Sequence, residues 1–293
     1  MKPKVIVTGA SGMLGKDFSK TLKKGFYVIP LSRSELDITN FDNVMRAFEK
    51  SCPDIVVNCA AFTKVDLCEE KRKEAFLVNA KGPENLIKAC NSINAKLVHI
   101  STDYVFDGMA ERPYKENDQT NPINVYGQSK LEGERAIITK GKNYLIIRTS
   151  WLFGKGGPNF IKTMLDLARK QKRLQVVQDQ TGRPTYTIDL VEYVSLLINC
   201  NAKGIVHCAN SGSCTWFDLC SFALEKAGMR DAKVLPVTSD KFKRPARRPI
   251  YSVLDLERFK SITGKTPRHW NKAVLSYLEE IGSLCPGTQT SYA

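Results

Sequence analysis

The sequence predicts an α/β protein built around a doubly wound parallel sheet. Short runs of apolar, largely β-branched residues recur along the first half of the chain, and a helical pattern follows each of them. The run at 54–58 is apolar enough to be buried on both faces, as strands of a parallel sheet are. A glycine-rich turn follows the first run. Four strand and helix repeats in succession therefore indicate a Rossmann-type sheet.

The composition is that of an ordinary globular protein, with 42% hydrophobic and 25% charged residues in a chain of 293. No apolar stretch approaches the roughly 18 residues of a membrane span, and the first residues do not resemble a signal peptide. We therefore expect a cytoplasmic protein that has no membrane partner. Nine scattered cysteines are expected to be reduced thiols, and three isolated histidines give no motif for a metal site.

The chain is basic, with 44 Lys and Arg against 30 Asp and Glu and a net charge of +14. A basic surface attracts anions such as nucleic acids or phosphorylated small molecules. The basic residues are spread along the chain and accompany no nucleic-acid-binding motif. We expect a phosphate-bearing cofactor and substrate, and no nucleic acid.

The first strand is predicted at residues 4–8, and a helix is predicted at 16–24 after the intervening glycine turn. Glycines permit a tight turn and a close approach of the backbone, and a helix N-terminus attracts an anion. This order predicts a cradle for the pyrophosphate of a dinucleotide. Its candidate residues are Gly9, Ser11, Gly12 and Gly15.

The second strand, predicted at 26–31, ends in Ser32 and Arg33. An acidic residue at this place usually binds the hydroxyls of the adenosine ribose, whereas an arginine and a serine suit a 2′-phosphate. The pattern favours NADPH, with NADH as the alternative. Asp37 and Ile38 follow and are expected along the adenine.

The third and fourth strands deliver small and polar residues to the edge of the sheet where ligands bind. Ala60 and Ala61 would let a loop pass close to a dinucleotide, and Thr63 offers a hydroxyl group. Thr102 and Asp103 come directly after the fourth strand. We predict both as site residues, although a simple strand-terminating turn is the alternative.

A helix predicted from residue 124 carries Tyr126 and Lys130, which lie four residues apart and share one face. An ammonium next to a phenol favours the phenolate and lowers the tyrosine pKa, which suits proton transfer. Taken alone, the pattern describes a solvated surface pair equally well. Its position after the glycine turn and Thr102 favours a catalytic pair.

The second half of the chain alternates less regularly. We predict residues 1–154 as an NADP-binding domain and 155–285 mainly as a smaller mixed α/β substrate-binding lobe. Some segments of 155–285 are expected to return to the main sheet, and 286–293 to form a tail. Arg247 and Arg248 lie in a basic loop that could clamp a diphosphate, with a solvated loop as the alternative.

With these residues placed, the sequence resembles the extended short-chain dehydrogenase/reductases and, within them, the dTDP-4-dehydrorhamnose reductase family. The resemblance runs from Val5 to about Leu278. It is carried by the segments TGASGMLG, VVNCAAFTKVD, STDYVFDG, VYGQSKLEGE, RTSWLFG, DQTGRPTYTIDL and RRPIYSVLD. Phe62 stands where that family usually has tyrosine, and Cys59 and Lys64 are not typical of it. These departures put the fine cofactor preference in doubt more than the activity.

The resemblance implies hydride transfer from a reduced nicotinamide to C4 of a dTDP-bound 4-keto-6-deoxysugar, which gives dTDP-L-rhamnose. Tyr126 would protonate the developing alkoxide, Lys130 would hold the nicotinamide ribose and lower the pKa of Tyr126, and Thr102 would hydrogen-bond the ketone oxygen. The implied cofactor residues also include Gly9, Gly12, Met13, Leu14, Asp37, Ile38, Ala60, Ala61 and Thr63. The implied substrate residues are Thr102, Asp103, Trp151, Asn159 and Arg247. Family members often form a homodimer, some with magnesium at the interface, but no motif here supports a metal.

Two other classes of function stay open at this point. A regulatory subunit of methionine adenosyltransferase shares this fold and need not keep the tyrosine and lysine, so the presence of both with Thr102 favours an enzyme. A nucleotide-sugar epimerase or another nucleotide-sugar reductase is the second alternative. Arg33 disfavours an epimerase, because such enzymes retain NAD and regenerate it in each cycle.

Overall fold

The structure is a computed structural model that describes residues 2–285; the tail predicted at 286–293 lies outside this range. Six parallel strands form the central sheet, in the order β10-β5-β4-β3-β1-β2. The strands of this sheet are β1 (Lys4–Thr8), β2 (Tyr27–Leu31), β3 (Ile55–Asn58), β4 (Lys96–Thr102), β5 (Tyr144–Thr149) and β10 (Gly204–His207). The predicted fold class is confirmed by this sheet. The division at residue 154 stays a prediction, and β10 is a strand of the main sheet that lies beyond it.

Helices cover both faces of the sheet. The helices are α1 (Met13–Thr21), α2 (Phe41–Ser51), α3 (Val65–Glu70), α4 (Arg72–Phe76), α5 (Gly82–Ser92), α6 (Val125–Lys140), α7 (Phe160–Ala168), α8 (Thr187–Asn199), α9 (Trp216–Lys226), α10 (Glu257–Thr263) and α11 (Trp270–Glu280). Alternate residues of β1 point to opposite faces, so Val5 and Val7 pack in one core with α1 and α8, while Ile6 packs in another with α2 and α5. Burial on both faces explains why the strands read as continuous apolar runs.

The strand order reverses at β1. The chain leaves β1 toward β2 on one side and returns to β3 on the other. In an open α/β sheet, the crevice at the carboxyl ends of the strands beside such a reversal is where ligands bind. The turn at Gly9 and the loop that begins at Cys59 therefore border the expected binding crevice.

Residues 65–92 do not form one continuous helix. The chain forms the short helices α3 and α4, then one turn of π-helix at Leu77–Lys81, then α5. The π-helical turn contains Asn79, whose amide is held by the backbone of Phe62, and Pro83 lies in the first turn of α5. Proline lacks a backbone N–H and is favoured in the first turn of a helix. Both features interrupt a regular helix that the apolar spacing alone predicts.

The rest of the second half forms a lobe with short strand pairs and its own core. The strands are β6 (Leu152–Phe153), β7 (Arg173–Val177), β8 (Thr181–Gly182), β9 (Thr185–Tyr186), β11 (Cys214–Thr215) and β12 (Lys233–Val237). They pair as β6 with β9, β7 with β12, and β8 with β11. The helices α7, α9 and α11 pack over a core that includes Leu165, Leu224 and Tyr277. Within residues 2–285, no helix combines the length and apolar character needed to cross a bilayer.

Candidate active site

The glycine turn after β1 lies tightly against the loop after β3. Gly9 has a φ of +64°, and a Cβ placed on it would come within 2.7 Å of the backbone nitrogen of Ala60. A Cβ on Gly15 would overlap the carbonyl oxygen of Gly9. Only glycine satisfies the left-handed conformation at Gly9 without strain, and the lack of a side chain at both positions lets α1 approach the turn.

The start of α1 is open to an anion. Gly12 is the N-cap residue and no side chain caps the helix, so the backbone amides of the first turn, from Met13 onward, are available to a ligand. A groove next to this turn is lined by Ser11, Ser32, Arg33, Ser34 and Asp37. The structure thus brings the glycine turn and the end of β2 together, as a dinucleotide with a 2′-phosphate requires. The residues present fit NADP.

The end of β2 carries a carboxylate that sequence reasoning missed. The backbone N–H and the hydroxyl of Ser32 both donate to Glu35 Oε2, at 2.8 and 2.7 Å. These bonds hold the pKa of Glu35 below its ordinary value. Arg33 is exposed and has no ion-pair partner within residues 2–285. Arg33 is therefore free to meet a phosphate, whereas the Ser32 donors are already engaged.

The remaining residues predicted for the cofactor lie along the same crevice. Asp37 Oδ1 accepts hydrogen bonds from the backbone and hydroxyl of Thr39. Ile38 is buried, and its carbonyl accepts from Asn85 at 3.0 Å. Beyond β3, Ala60 and Ala61 are half-buried, and Thr63 is exposed.

Thr102 ends β4 and Asp103 follows it, both nearly inaccessible to water. The Thr102 hydroxyl donates to Asp103 Oδ1 at 3.0 Å. Burial raises the pKa of Asp103 to about 7, although Thr102 and the nearby Ser252 hydroxyl lower it. Its Oδ2 has no partner of hydrogen-bond geometry within the described residues. A buried carboxyl group with one unsatisfied oxygen is suited to accept a hydrogen bond from a ligand.

Tyr126 lies in the first turn of α6, which the side chain of Asn124 caps by accepting from the Gly127 N–H at 2.8 Å. Its ring packs edge to face on Tyr104, with 5.8 Å between the ring centroids. The protein's own groups raise the pKa of Tyr126, because removal from water outweighs the lowering by the Thr102 hydroxyl. The sequence predicted a lowered pKa through Lys130. The direction differs because removal of the phenol from water is the largest effect, and Lys130 donates to the Ile100 carbonyl instead.

Lys130 follows one turn later on α6 and is 2% exposed. Its Nζ donates to the carbonyl oxygen of Ile100 at 2.6 Å and lies 3.2 Å from Nε2 of His99. Burial lowers the pKa of Lys130 to about 8, and the negative charge of Glu134 opposes this shift. An amine that titrates near neutral pH is typical of a group that takes part in chemistry.

Trp151 and Asn159, both predicted to bind the substrate, have different surroundings in the structure. Trp151 follows β5 with a φ of +47°, and its ring stacks on Trp216 at 3.5 Å between centroids. Asn159 caps α7, and its amide nitrogen donates to Gly154 and Tyr277. The amide of Asn159 is thus hydrogen-bonded within the protein. The residue caps α7, a structural role that the sequence did not predict.

Arg247 is exposed, and its carbonyl accepts from Asn124 Nδ2 at 2.7 Å. This bond fixes the basic loop to the start of α6, close to Tyr126. Arg248 forms a two-point ion pair with Asp66, at 2.6 and 2.7 Å. Of the two arginines predicted to clamp a diphosphate, only Arg247 has no ion-pair partner within the described chain.

Sequence reasoning missed the supporting polar residues. Asn79 donates to Ser129 of α6 and holds the backbone of Phe62 on both sides, while Asn58 and His99 lie beneath Lys130. Asn58 and His99 each interrupt or end an otherwise apolar strand. A polar residue in a strand that is buried on both faces is a signal for such a network. Across residues 2–285 no cluster of His, Cys, Asp and Glu is arranged to hold a metal ion.

The comparisons with known proteins agree with this geometry. The sequence profile of the family described as RmlD substrate binding domain matches residues 2–283. The chain belongs to this family. It is similar to the spore coat polysaccharide biosynthesis protein SpsK of Bacillus subtilis, at 44% identity over 96% of this chain and 99% of that protein. It is also similar to the dTDP-4-dehydrorhamnose reductase of Streptomyces griseus, at 41% identity over 97% of this chain and 95% of the relative.

Among solved structures, the fold is similar to that of dTDP-4-dehydrorhamnose reductase from Bacillus anthracis in complex with NADP. The two chains are 39% identical with a TM-score of 0.93, over 96% of this chain and 100% of the other. Family membership and fold are therefore shown over nearly the whole described chain.

Proposed function

We propose that the protein is an oxidoreductase that uses NADPH to reduce the C4 ketone of dTDP-4-dehydro-6-deoxy-L-mannose to dTDP-L-rhamnose. The observation that carries this proposal is the convergence of Tyr126, Lys130 and Thr102 at the carboxyl end of β4, where the Thr102 hydroxyl meets the Tyr126 phenol and Lys130 donates to the Ile100 carbonyl. The family and the reductase names of its relatives agree with it. The predicted cytoplasmic location and homodimer belong to the same proposal.

The chain's own residues would hold the cofactor at three places. The glycine turn and the amides of the first turn of α1 bind the pyrophosphate, and Arg33 binds the 2′-phosphate. Lys130 holds the nicotinamide ribose. When bound, NADPH supplies the hydride that reaches C4.

The proton comes from Tyr126. As the ketone is reduced, its oxygen gains negative charge, and the Tyr126 phenol protonates it. The Thr102 hydroxyl, turned from Asp103 Oδ1 toward the ketone, would donate a hydrogen bond to the same oxygen and share the developing charge. Because the protein alone raises the pKa of Tyr126, the phenol is held protonated at neutral pH. That is the form a proton donor needs at the start of a reduction.

The substrate lies between the end of β4 and the second lobe. Asp103 accepts hydrogen bonds from sugar hydroxyls through its unsatisfied Oδ2, and Trp151 covers an apolar face of the ligand. Arg247, held to the start of α6 by Asn124, meets the diphosphate. Asn159 shapes this side by capping α7.

The direct test is an assay of the full-length protein with NADPH and dTDP-4-dehydrorhamnose. We expect oxidation of NADPH, seen as a loss of its absorbance, together with formation of dTDP-L-rhamnose. If neither NADPH nor NADH is oxidised while the cofactor still binds, the reductase proposal fails. That result would instead favour a non-catalytic NADP-binding subunit. Return of the cofactor to its starting redox state after turnover would indicate an epimerase.

A further inference from the structure

Four buried polar side chains form a chain of contacts beneath the catalytic lysine. Thr8 on β1, Asn58 on β3 and His99 on β4 are register partners on adjacent strands, and Lys130 of α6 completes the row. The Thr8 hydroxyl donates to Asn58 Oδ1 at 2.6 Å, Asn58 Nδ2 lies 2.9 Å from His99 Nδ1, and His99 Nε2 lies 3.2 Å from Lys130 Nζ. All four are at most 2% exposed, so water does not satisfy them.

The orientation of the Asn58 amide is fixed by a group that can only donate. The backbone N–H of Ala60 donates to Asn58 Oδ1 at 3.2 Å. An amide turned the other way would place two donors against each other. Asn58 Nδ2 therefore faces His99 and donates to its Nδ1.

This donation selects the tautomer of His99. A neutral imidazole has one N–H and one acceptor nitrogen. Because Nδ1 accepts from Asn58, the proton must lie on Nε2. The ring is held neutral, chiefly because burial lowers the pKa of His99 well below its ordinary value.

The Nε2–H of His99 then points at Lys130. An ammonium has three N–H groups and no lone pair, whereas a neutral amine has a lone pair that can accept. Lys130 also donates to the Ile100 carbonyl at 2.6 Å, which either form can do. The arrangement with every hydrogen bond satisfied contains the neutral amine. The charged or titratable groups that face Lys130 from other elements and from its own helix are Cys59 after β3, His99 on β4 and Glu134 on α6.

We propose that Asn58 and His99 are positioning residues that set the protonation of Lys130: Asn58 fixes the Nε2–H tautomer of His99, and this N–H favours the neutral amine of Lys130 over its ammonium. The catalytic consequence rests on the proposed reductase function. Binding of the ribose uses the ammonium of Lys130, and the Nε2–H tautomer of His99 opposes this protonation. The enzyme consequently loses activity on the basic side of neutrality earlier than it would with the other tautomer.

Asn58→Asp tests the proposal with a side chain of the same shape. The carboxylate still accepts from Ala60 and Thr8, but it can no longer donate to His99. Nδ1 then carries the proton and donates to the carboxylate, and Nε2 becomes an acceptor for the Lys130 ammonium. We expect the tautomer to switch and the basic limb of the pH profile of kcat/KM to move up by about one unit or more.

The tautomer is read by long-range ¹⁵N–¹H correlation in protein labelled at histidine. The chain has three histidines, and a His99→Gln variant assigns the signal of His99. We expect Nε2–H in the wild type and Nδ1–H in Asn58→Asp. An Nδ1–H signal in the wild type would overturn the proposal even if the variant fails to fold. Equal tautomers in the two proteins would also overturn it.

Thr8→Val is the matched control. It removes the other side-chain bond to Asn58 Oδ1 but keeps the Ala60 N–H that orients the amide. The Nε2–H tautomer and the wild-type basic limb are expected to persist. A shift in Thr8→Val as large as in Asn58→Asp would mean that loosened packing causes the effect, and the proposal would fail.

The two proposals can fail separately. The tautomer needs neither substrate nor turnover, so a protein that oxidises no NADPH still reports it. In that case the titration of Lys130 is followed by its ¹³Cε chemical shift. The midpoint is expected to rise in Asn58→Asp, and an unchanged midpoint would overturn the inference independently of the reductase function.

Discussion

Two buried cations lie on the same side of the sheet and differ in their partners. Arg148 of β5 forms an ion pair with Glu134 of α6, with 2.7 Å between Nη2 and Oε2, and its Nε lies 3.1 and 3.2 Å from the two carboxylate oxygens. Lys130 lies one turn before Glu134 on the same helix. Within residues 2–285 it has no carboxylate in an ion pair, only the Ile100 carbonyl and the His99 ring.

The difference shows how one helix can serve stability and chemistry at once. A buried arginine that is hydrogen-bonded to both oxygens of a carboxylate stays charged and links the strand to the helix. Removing one partner of such a pair strongly lowers the stability of the fold. A buried charge without a counter-ion is disfavoured, and its proton becomes easy to remove. We expect substitutions at the Arg148 pair to change stability, and substitutions around Lys130 to change activity.

The largest effect is expected for Tyr126→Phe. Loss of the proton donor should lower kcat/KM by about 10³-fold, within the range typical of general acid catalysis, while the thermal unfolding midpoint stays near that of the wild type. Steady-state kinetics and a thermal melt measure the two quantities. Tyr104→Phe is the control, because Tyr104 packs against Tyr126 and should lose less than about tenfold. Near-normal turnover of Tyr126→Phe would show that another group supplies the proton.

Glu134→Gln should reduce stability more than any change at Lys130. It leaves Arg148 buried without an anion, which costs about 3 to 5 kcal/mol in the free energy of unfolding. The comparison variant is Glu132→Gln, also on α6, whose pairing with Arg135 is at 3.5 Å and largely exposed. That change should cost less than about 1 kcal/mol. Denaturant titration of both variants measures the two free energies of unfolding. Equal decreases in Glu134→Gln and Glu132→Gln would contradict the prediction.

Lys130→Met should increase the stability of the protein at pH 7, whereas Glu134→Gln lowers it. The pKa of Lys130 falls from 10.5 to about 8 on folding, so the unfolded chain binds more protons between these values and wild-type stability rises with pH across this window. At pH 7 the buried ammonium destabilises the fold, and its replacement should raise the free energy of unfolding by roughly 3 kcal/mol. This gain should vanish by about pH 10.5. Denaturation at both pH values measures it, and a less stable variant at pH 7 would contradict the reasoning.

Much of the fold could be predicted because its signals are local. Val5, Val7 and Ile6 read as an apolar run, the glycines at 9 and 15 mark a turn, and both features lie within a few residues of each other. The interruption around Asn79 could not be found in this way. It depends on a contact between Asn79 and Phe62, which are 17 residues apart, and helical periodicity carries no information about it.

The candidate site was likewise predicted only in part. Tyr126, Lys130 and Thr102 were found from spacing and from strand ends, and their roles stay predictions. The direction of the Tyr126 pKa was predicted wrongly, because burial and the partners of Lys130 depend on the packing of α6 against β4. Asn58 and His99 become neighbours only through the register of β3 and β4, which the sequence does not specify.

The smallest effect is expected at the exposed cation of the cofactor crevice. Arg33 is in water, so its contact with a 2′-phosphate should contribute far less than a buried pair does. Arg33→Asp should move the ratio of kcat/KM for NADPH to that for NADH by about tenfold toward NADH.

Glu35→Gln is the matched variant, because it removes a negative charge that accepts hydrogen bonds from both donors of Ser32. This change should shift the ratio a few-fold toward NADPH. Opposite shifts would place the phosphate between Ser32 and Arg33, whereas an unchanged ratio in Arg33→Asp would show that Arg33 does not meet it.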